Sequence, residues 1–215
     1  METISFDLLT LACRDRYKLL AGLVIPRPIA FVTSVSRTGV VNAAPFSFFN
    51  MVSTTPPICM IGIDPRSEGG LKDTALNIFE RAAFVVNLVD EALGPQMSLC
   101  STDYPAETSE VELAELALAS SEKVDVPRLS AAPASLECKF RQKVEIAKDH
   151  FMIIGDVVQL HVRKGVIEET NLRTNLCQYR PLSRLAGNHY ATLGERIVLE
   201  RLSFAQRKAV ESQKC

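Results

Sequence analysis

The chain has 215 residues, of which 47% are hydrophobic and 23% are charged, a composition typical of a folded globular protein rather than a disordered or fibrous one. Its 24 Lys and Arg residues nearly balance 25 Asp and Glu residues, which argues against a nucleic-acid partner because phosphate contacts favour a basic excess. No stretch approaches the roughly 20 apolar residues of a membrane helix. We therefore expect one domain over residues 1–215, without a membrane or nucleic-acid partner.

The six cysteines are scattered along the chain and form no C-x-x-C pair, which argues against a zinc site or a dithiol redox motif. The three histidines are not paired at metal-ligand spacing either, so we expect no bound metal. Charged residues interrupt the apolar patches near the N-terminus before a signal-peptide core forms. Reduced thiols and the absence of a leader predict a cytoplasmic protein.

Antiparallel strands are predicted in the first third of the chain. Alternating residues indicate a strand over Pro28–Ser36, and Gly39 suits the turn that follows. A second strand extends from Val40 to about Ala44, where Pro45 is expected to end regular pairing because it has no N–H to donate. A third apolar run covers Ile58–Ile63.

Two helices are predicted in the middle of the chain. Asp73 is a candidate N-cap for the first, and four apolar residues follow at helical spacing: Ala75, Ile78, Phe79 and Ala82. A buried strand follows over Ala83–Leu88, and the second helix is predicted over Val111–Ala119.

The clearest strand is Leu136–Ile146, followed by a turn at Lys148–His150 and a strand over Phe151–Val162. Along it, five residues are expected to face the core: Leu136, Cys138, Phe140, Val144 and Ile146. Five are expected to face water: Glu137, Lys139, Arg141, Lys143 and Glu145. Gln142 is the one polar residue on the side of the strand that is expected to face the core. Many strands with few helices predict a mainly β fold with helices, a β-barrel or sandwich, rather than a doubly wound α/β fold.

A glycine-rich segment, Gly69–Thr74, precedes the first predicted helix. Glycines allow backbone N–H groups to face an anion, and a helix N-terminus adds partial positive charge, so Lys72, Thr74 and the nearby Arg66 suit a phosphate. The alternative is an ordinary capped helix with a solvated lysine, and the spacing alone favours that alternative.

Small, aromatic, hydroxyl and amide side chains are mixed in the segment Asn42–Asn50. This mixture suits a flat aromatic ligand, which needs donors for its polar edge and apolar surface for its faces. The alternative is three phenylalanines in a core, which composition alone favours. Taken together, the two segments indicate a planar ligand with a phosphate tail.

Several ordered segments resemble the flavin reductase-like family of FMN-binding split-barrel proteins related to flavoredoxin. The matching segments are Val24–Ser34, Asn42–Phe49, Val52-Ser53 and Pro56-Pro57, then Lys72-Asp73-Thr74 with Asn77, and His150 followed by Gly155-Asp156-Val157. The similarity extends over about residues 15–200, which we take as the core of the domain.

The resemblance implies a split β-barrel, typically a homodimer, with FMN near the subunit interface. It also implies that one group of residues faces the flavin ring and ribityl chain: Asn42, Ala43, Ala44, Pro45, Phe46 and Ser47, with Ser53 nearby. Lys72 and Thr74 would hold the phosphate, and Tyr190 matches a segment near the flavin. His150 would flank the flavin or the nicotinamide and is the predicted catalytic residue, although a capping or solvated histidine would give the same pattern.

Three functions follow from these observations. The favoured one is an FMN-dependent oxidoreductase that passes hydride from NADH or NADPH through FMN to a flavin or protein acceptor, with the protein supplying orientation and electrostatics. The second is an FMN-binding electron carrier or flavin-holding module without NAD(P)H turnover, which the lack of a dinucleotide fingerprint leaves open. The third is a split-barrel interaction protein without a cofactor.

Overall fold

The computed structural model of the chain describes residues 1–105 and 108–212. Its longer strands are β2 (Ala30–Val35), β3 (Val41–Phe46), β4 (Phe49–Thr54), β5 (Pro57–Ile63), β6 (Ala83–Leu88), β9 (Ala134–Ala147) and β10 (His150–Val162). Two-residue strands complete the set: β1 (Arg27–Pro28), β7 (Leu118–Ala119), β8 (Arg128–Leu129), β11 (Ile167–Glu168), β12 (Arg173–Thr174), β13 (Ser183–Arg184) and β14 (Tyr190–Ala191). The predicted mainly β class is confirmed.

Five α-helices decorate these strands in the described residues: α1 (Cys13–Leu23), α2 (Asp73–Arg81), α3 (Gly94–Leu99), α4 (Glu110–Leu113) and α5 (Phe204–Ser212). The strands over residues 30–35 and 83–88 and the helix α2 lie where the sequence predicts them. Asp73, however, is the first residue of α2, and Lys72 occupies the N-cap position.

The seven longer strands form one antiparallel sheet in the order β3-β2-β6-β9-β10-β5-β4. Strands β3 and β4 lie at opposite edges, yet only Ser47 and Phe48 separate them in the chain. At most about 11 Å of extended chain joins Phe46 to Phe49, so the two edges must meet at this corner. The N–H of Gly62 donates to Phe48 O at 2.7 Å and fastens the corner to β5. The sheet is therefore rolled into a barrel that closes at Ser47-Phe48.

Two hydrophobic clusters lie on the two faces of this sheet. The cluster inside the barrel includes the fully buried Phe84, Ile61 and Ile153, and α2 adds Ala75 and Ile78 to it. The cluster on the other face includes the fully buried Phe31 with Met97 of α3 and Val111 of α4. Burying a side chain of this size stabilises a fold by about 1.5–3 kcal/mol, so both clusters hold α2, α3 and α4 against β2 and β3.

Strand β3 continues through Pro45 to Phe46, so the predicted end of pairing at Pro45 is wrong. The outer side of this edge strand carries Val41 O, which accepts from Ser109 Oγ, and Ala43 N, which donates to Glu110. Backbone groups alternate between the two sides of a strand, which places Pro45 on the same outer side. Its missing N–H therefore removes no hydrogen bond to β2.

The side chains of β9 alternate as predicted up to Phe140, and beyond it the predicted faces are wrong. Phe140 pairs with Gly155 of β10 whereas Gln142 pairs with Ile154, so Arg141 is an extra residue, a β-bulge. An extra residue turns every later side chain to the opposite face. Val144 and Ile146 are consequently exposed, and Lys143 Nζ lies 4.4 Å from the centre of the Phe79 ring.

Glu137 was expected to face water, but its side chain is fully buried. The segment 122–124 covers this face of β9 and donates three backbone N–H groups to the carboxylate, at distances from 2.6 to 3.0 Å. His161, which the alternation within its strand indicates as structural, contacts the same carboxylate through Nε2. A buried charge is tolerated here because four donors satisfy it.

The helix predicted over Val111–Ala119 is a single turn, α4, and Leu118–Ala119 form a short strand instead. Glu115 adopts a φ of 50°, which ends the helical path. The region Arg163–Gly194, which has no clear sequence pattern, contains the two-residue strands β11–β14. In the polar tail, residues 204–212 form α5, while Cys215 lies outside the described residues.

Candidate functional site

A cleft of about 310 Å³ opens between the edge strand β3, the start of α2 and the segment that joins α3 to α4. Several of the predicted site residues line it: Asn42, Ala44, Pro45, Phe46, Ser47, Lys72, Thr74 and Tyr190. Tyr17 of α1 and Arg184 of β13 also line it. The fold thus brings the two motifs that the sequence analysis singled out, Asn42–Ser47 and Lys72–Thr74, to the same cavity.

Three predicted site residues lie outside the lining of this cleft. Ala43 is fully buried in the cluster on the opposite face of β3. Ser53 lies on β4, where its Oγ accepts from Thr55 N at 3.1 Å. His150 does not line the cleft but contacts a residue that does, because its Nε2 lies 3.1 Å from Oδ1 of Asp64. The site roles of these residues stay predictions.

Asn42 is the centre of a hydrogen-bond network in the wall of the cleft. Its Nδ2 donates to both carboxylate oxygens of Glu110 at 2.9 Å, and its Oδ1 accepts from Thr74 Oγ1 at 3.0 Å and from Ser34 Oγ at 3.3 Å. Every polar atom of the amide is used, so its orientation is determined by its neighbours. The network joins β3 to both α2 and α4 and stabilises the geometry of the cleft.

Glu110 lines the cleft, and sequence analysis missed it. Burial raises the pKa of its carboxyl group, while hydrogen bonds from its own N–H, Ala43 N and Asn42 act in the opposite direction. Glu110 belongs to no motif and follows Asn42 by 68 residues, so only the folded chain shows their contact. Its role in the structure is to accept hydrogen bonds along the outer edge of β3.

The loop before α2 delivers cationic side chains to the other end of the cleft. Gly69 and Gly70 have φ values of +88° and +87°, a conformation that side chains rarely permit, so glycine is required in this tight turn. Arg66 lies at the base of the loop, where its guanidinium contacts the Asp73 carboxylate and its Nε donates to Leu71 O at 3.1 Å.

Lys72 is also paired in this arrangement. Its Nζ donates to Asp103 Oδ1 at 2.8 Å, and Ser67 Oγ donates to Asp103 Oδ2 at 2.8 Å. The hydrogen bond from Lys72 lowers the pKa of Asp103, against the opposing effect of partial burial, and the bond from Ser67 adds to the lowering. Asp103 and Tyr104 line the cleft from the segment that follows α3.

Arg27 is a further residue that sequence analysis missed. It is buried, and it donates to the carbonyls of Val24 at 2.9 Å and Leu185 at 3.0 Å and to Ser47 Oγ at 3.4 Å. These bonds hold α1 and the segment before β14 against the Ser47-Phe48 corner. A signal was present in the sequence, since a charged residue between two prolines in an apolar segment is unusual.

The family model described as the flavin reductase like domain matches residues 22–183, which include most of the cleft lining. The chain belongs to the flavin reductase-like family. Residues matched by this model carry both Asn42–Ser47 and Lys72–Thr74, so the predicted family is confirmed on the part of the chain that forms the cleft.

Solved structures similar to this flavin reductase-like chain agree with it over nearly its whole length. Nitrilotriacetate monooxygenase component B from Bacillus cereus is 36% identical with a TM-score of 0.87, covering 93% of this chain and all of that chain. The 2-nitrobenzoate 2-nitroreductase NbaA from Pseudomonas fluorescens is 36% identical with a TM-score of 0.85, covering 94% of this chain and 98% of that chain.

A more distant structure is similar in fold alone. The putative flavin reductase with a split barrel domain from Shewanella frigidimarina is 17% identical with a TM-score of 0.78, covering 93% of this chain and all of that chain. The rolled sheet of the flavin reductase-like chain is therefore a split barrel, as the sequence predicts. Within residues 1–105 and 108–212, none of the helices has the length and apolar character needed to cross a membrane.

Proposed function

We propose that this protein binds FMN in the cleft and passes hydride from NADH or NADPH through the flavin to a flavin or protein acceptor. The observation that carries the proposal is the different chemistry of the two ends of the cleft. The cations Arg66 and Lys72 lie at the start of α2, whereas Pro45 and Phe46 of β3 line the other end. Membership of the flavin reductase-like family supports the proposal.

The cationic end fits a phosphate group. Helix α2 has nine residues, and its N-terminus adds partial positive charge next to the Lys72 ammonium and the Thr74 hydroxyl. A cavity of about 310 Å³ is at the small end of ligand sites, which are about 300–1,000 Å³. One phosphate site in a small cavity favours FMN over FAD.

The other end fits a planar ring. Ala44, Pro45 and Phe46 present apolar surface, and Ser47 adds a hydroxyl. Because Arg27 Nε donates to Ser47 Oγ, the hydroxyl proton of Ser47 is left to donate to a ligand. The network around Asn42 keeps this edge of β3 in one conformation, which reduces the entropy lost on binding.

The residues of the chain bind, orient and shield, while the flavin supplies the redox chemistry. The chemistry that a bound FMN would supply is two-electron oxidation and reduction, with hydride coming from the reduced nicotinamide, which is oxidised, and the electrons leaving to the acceptor. Lys72 holds the phosphate in this proposal together with backbone N–H groups at the start of α2, because the Thr74 hydroxyl donates to Asn42 Oδ1 and the Arg66 guanidinium is paired with Asp73. Tyr190 and Arg184 line the cleft and would contact a second substrate. His150 stays the predicted catalytic residue that flanks the flavin or the nicotinamide, and Asp64 orients its ring through Nε2.

The absorbance spectrum of the purified protein tests the cofactor. We expect a bound flavin that mass analysis identifies as FMN, and anaerobic titration with NADH and with NADPH should bleach it. Released FAD, or no flavin after reconstitution with FMN, would overturn the proposal. The assignment also includes a single domain, a homodimer and a cytoplasmic location, as the sequence analysis predicts.

The alternative is an FMN-binding electron carrier that does not turn over NAD(P)H, which the missing dinucleotide fingerprint leaves open. Steady-state oxidation of NADH or NADPH by the purified protein separates the two functions. The acceptor is a separate question, since the two relatives at 36% identity are a nitroreductase and a monooxygenase component. Parallel assays with free FMN and with 2-nitrobenzoate as acceptors decide between these reactions.

A further inference from the structure

The carboxylate of Asp103 occupies the donors that suit a phosphate at the cationic end of the cleft. Both of its oxygens are bonded, Oδ1 by the Lys72 ammonium and Oδ2 by the Ser67 hydroxyl, each at 2.8 Å. Ser67 belongs to the loop before α2 and Lys72 occupies the N-cap position of α2, so the Asp103 carboxylate bridges the loop and the helix start, as a phosphate would. The carboxylate comes from a different part of the chain, the segment between α3 and α4.

We propose that Asp103 is an internal competitor for the flavin phosphate and thereby weakens the binding of FMN. This inference rests on the proposed function of the cleft. The hydrogen bond from Lys72 favours the ionised form of Asp103, which therefore carries a full negative charge at neutral pH. Two anions that share one ammonium repel each other, so entry of a phosphate requires Asp103 to release Lys72.

The Lys72–Asp103 ion pair is partly exposed to water, so Asp103 can release Lys72 easily. The side chains of Lys72 and Asp103 are 28% and 41% exposed, and ion pairs with this access to water are weak. The second cation does not relieve the competition, because the Asp73 carboxylate and Leu71 O already bind Arg66. An exposed carboxylate that leaves readily allows FMN to bind and also limits how tightly it binds.

The test compares Asp103→Asn with the wild-type protein by titration of flavin fluorescence. Removing the competing charge is expected to lower the Kd for FMN by about 3- to 10-fold and to raise the association rate. Glu91→Gln is the matched control, since Glu91 accepts from Arg180 at 2.8 Å in an exposed pair that is not part of the cleft lining. We expect Glu91→Gln to change the Kd by less than about 1.5-fold.

Two further measurements separate competition from a general effect of charge. In a Lys72→Ala background, Asp103→Asn should no longer change the affinity for FMN, because there is no shared ammonium. Riboflavin lacks the phosphate, so its affinity should be the same for Asp103→Asn and the wild type. As a readout without flavin, inorganic phosphate should raise the Tm of Asp103→Asn more than that of the wild type.

Several outcomes would overturn the inference: an unchanged or raised Kd for FMN in Asp103→Asn, an equal gain in the Lys72→Ala background, or an equal gain for riboflavin. The inference fails alone if the wild type binds FMN and Lys72→Ala weakens binding while Asp103→Asn has no effect. If the wild type does not bind FMN at all, the proposed function fails with it.

Discussion

Lys72 is the residue on which the phosphate assignment depends most directly. If its ammonium contacts the FMN phosphate, Lys72→Ala removes a charge-assisted hydrogen bond worth about 1.5–3 kcal/mol, or about 10- to 150-fold in Kd. Lys72→Arg is expected to lose less affinity, although its forked head suits a different geometry. Because the phosphate is far from the reactive end of the flavin, turnover at saturating FMN should change little. Fluorescence titration together with steady-state kinetics measures both quantities.

A Lys72→Ala protein with unchanged FMN affinity would contradict this prediction. The phosphate would then be bound by backbone N–H groups at the start of α2, because the Thr74 hydroxyl donates to Asn42 and Arg66 is paired with Asp73. A solvated lysine, the alternative left open by the sequence, predicts a change below about 0.5 kcal/mol.

Glu137 is a second residue whose surroundings lead to a measurable prediction. Burial raises its pKa, but the hydrogen bonds from the N–H groups of residues 122–124 and from His161 outweigh that effect, so the pKa lies below its usual value of 4.5. A carboxyl group with a lowered pKa in the folded state stabilises the protein above its unfolded pKa, and the contribution is lost as the pH falls through the folded pKa.

We therefore expect Glu137→Gln to reduce the free energy of unfolding by about 2–4 kcal/mol at pH 7, because backbone donors lose their charged acceptor. The difference from the wild type should shrink as the pH falls below about 4.5. Urea unfolding at a series of pH values measures it. Glu145→Gln, an exposed position of the same strand, is the control and should have little effect. A difference that does not depend on pH would contradict the prediction.

At the scale of single elements, β10 crosses the core at a position where only glycine fits. A Cβ on Gly155 would lie 2.5 Å from Cζ of the buried Phe84 and 3.3 Å from Cβ of Cys138. Gly155→Ala is expected to destabilise the fold by about 1–3 kcal/mol, since a packed core resists the extra methyl group. Gly194→Ala is the matched control, because a Cβ there meets nothing within 4 Å. Denaturant midpoints of the two variants should differ clearly, and equal midpoints would contradict the packing argument.

Some of these strands and helices could be predicted from local sequence patterns, and others could not. The strand at Ala83–Leu88 was predictable from a short apolar run and the helix α2 from its hydrophobic periodicity, because both patterns report burial. The faces of β9 beyond Phe140 were not, since a bulge depends on the register with β10, although Gln142 on the apolar side was a sign of it. Pro45 is part of a strand because β3 lies at an edge of the sheet. The position of β3 in the sheet could not be predicted from the sequence of residues 40–46.

The same limit applies to the candidate site. Asn42 and Lys72 were selected because their segments resemble the flavin reductase-like family, whereas spacing and composition alone favoured an ordinary helix and a hydrophobic core. Glu110 and Asp103 were not predicted as contacts of those residues, since each reaches the cleft from a segment at least 31 residues away. Sequence analysis therefore indicated residues that line the cleft better than the side chains that position them.

At the scale of the whole molecule, apolar side chains are exposed on elements that would be covered in a dimer. Within β4, an edge strand, Phe49 is buried, whereas Met51 and Val52 are 43% and 61% exposed. The residues of β9 that follow the bulge at Arg141 include Val144 and Ile146, which are exposed as well. Soluble proteins seldom leave an edge strand with apolar side chains open to water, because it promotes association.

We therefore predict a homodimer whose interface includes β4 and buries on the order of 2,000 Å² or more, as obligate interfaces do. Light scattering at micromolar concentration should give twice the mass of one chain. Val52→Lys places a charge in the interface and should shift the protein toward monomer, because an unpaired buried charge is strongly unfavourable. Leu172→Lys, at a side chain 78% exposed between β11 and β12, is the control and should remain dimeric. If the flavin site is shared between subunits, Val52→Lys should also bind FMN more weakly. A wild-type monomer that still holds FMN would contradict both the dimer and the shared site.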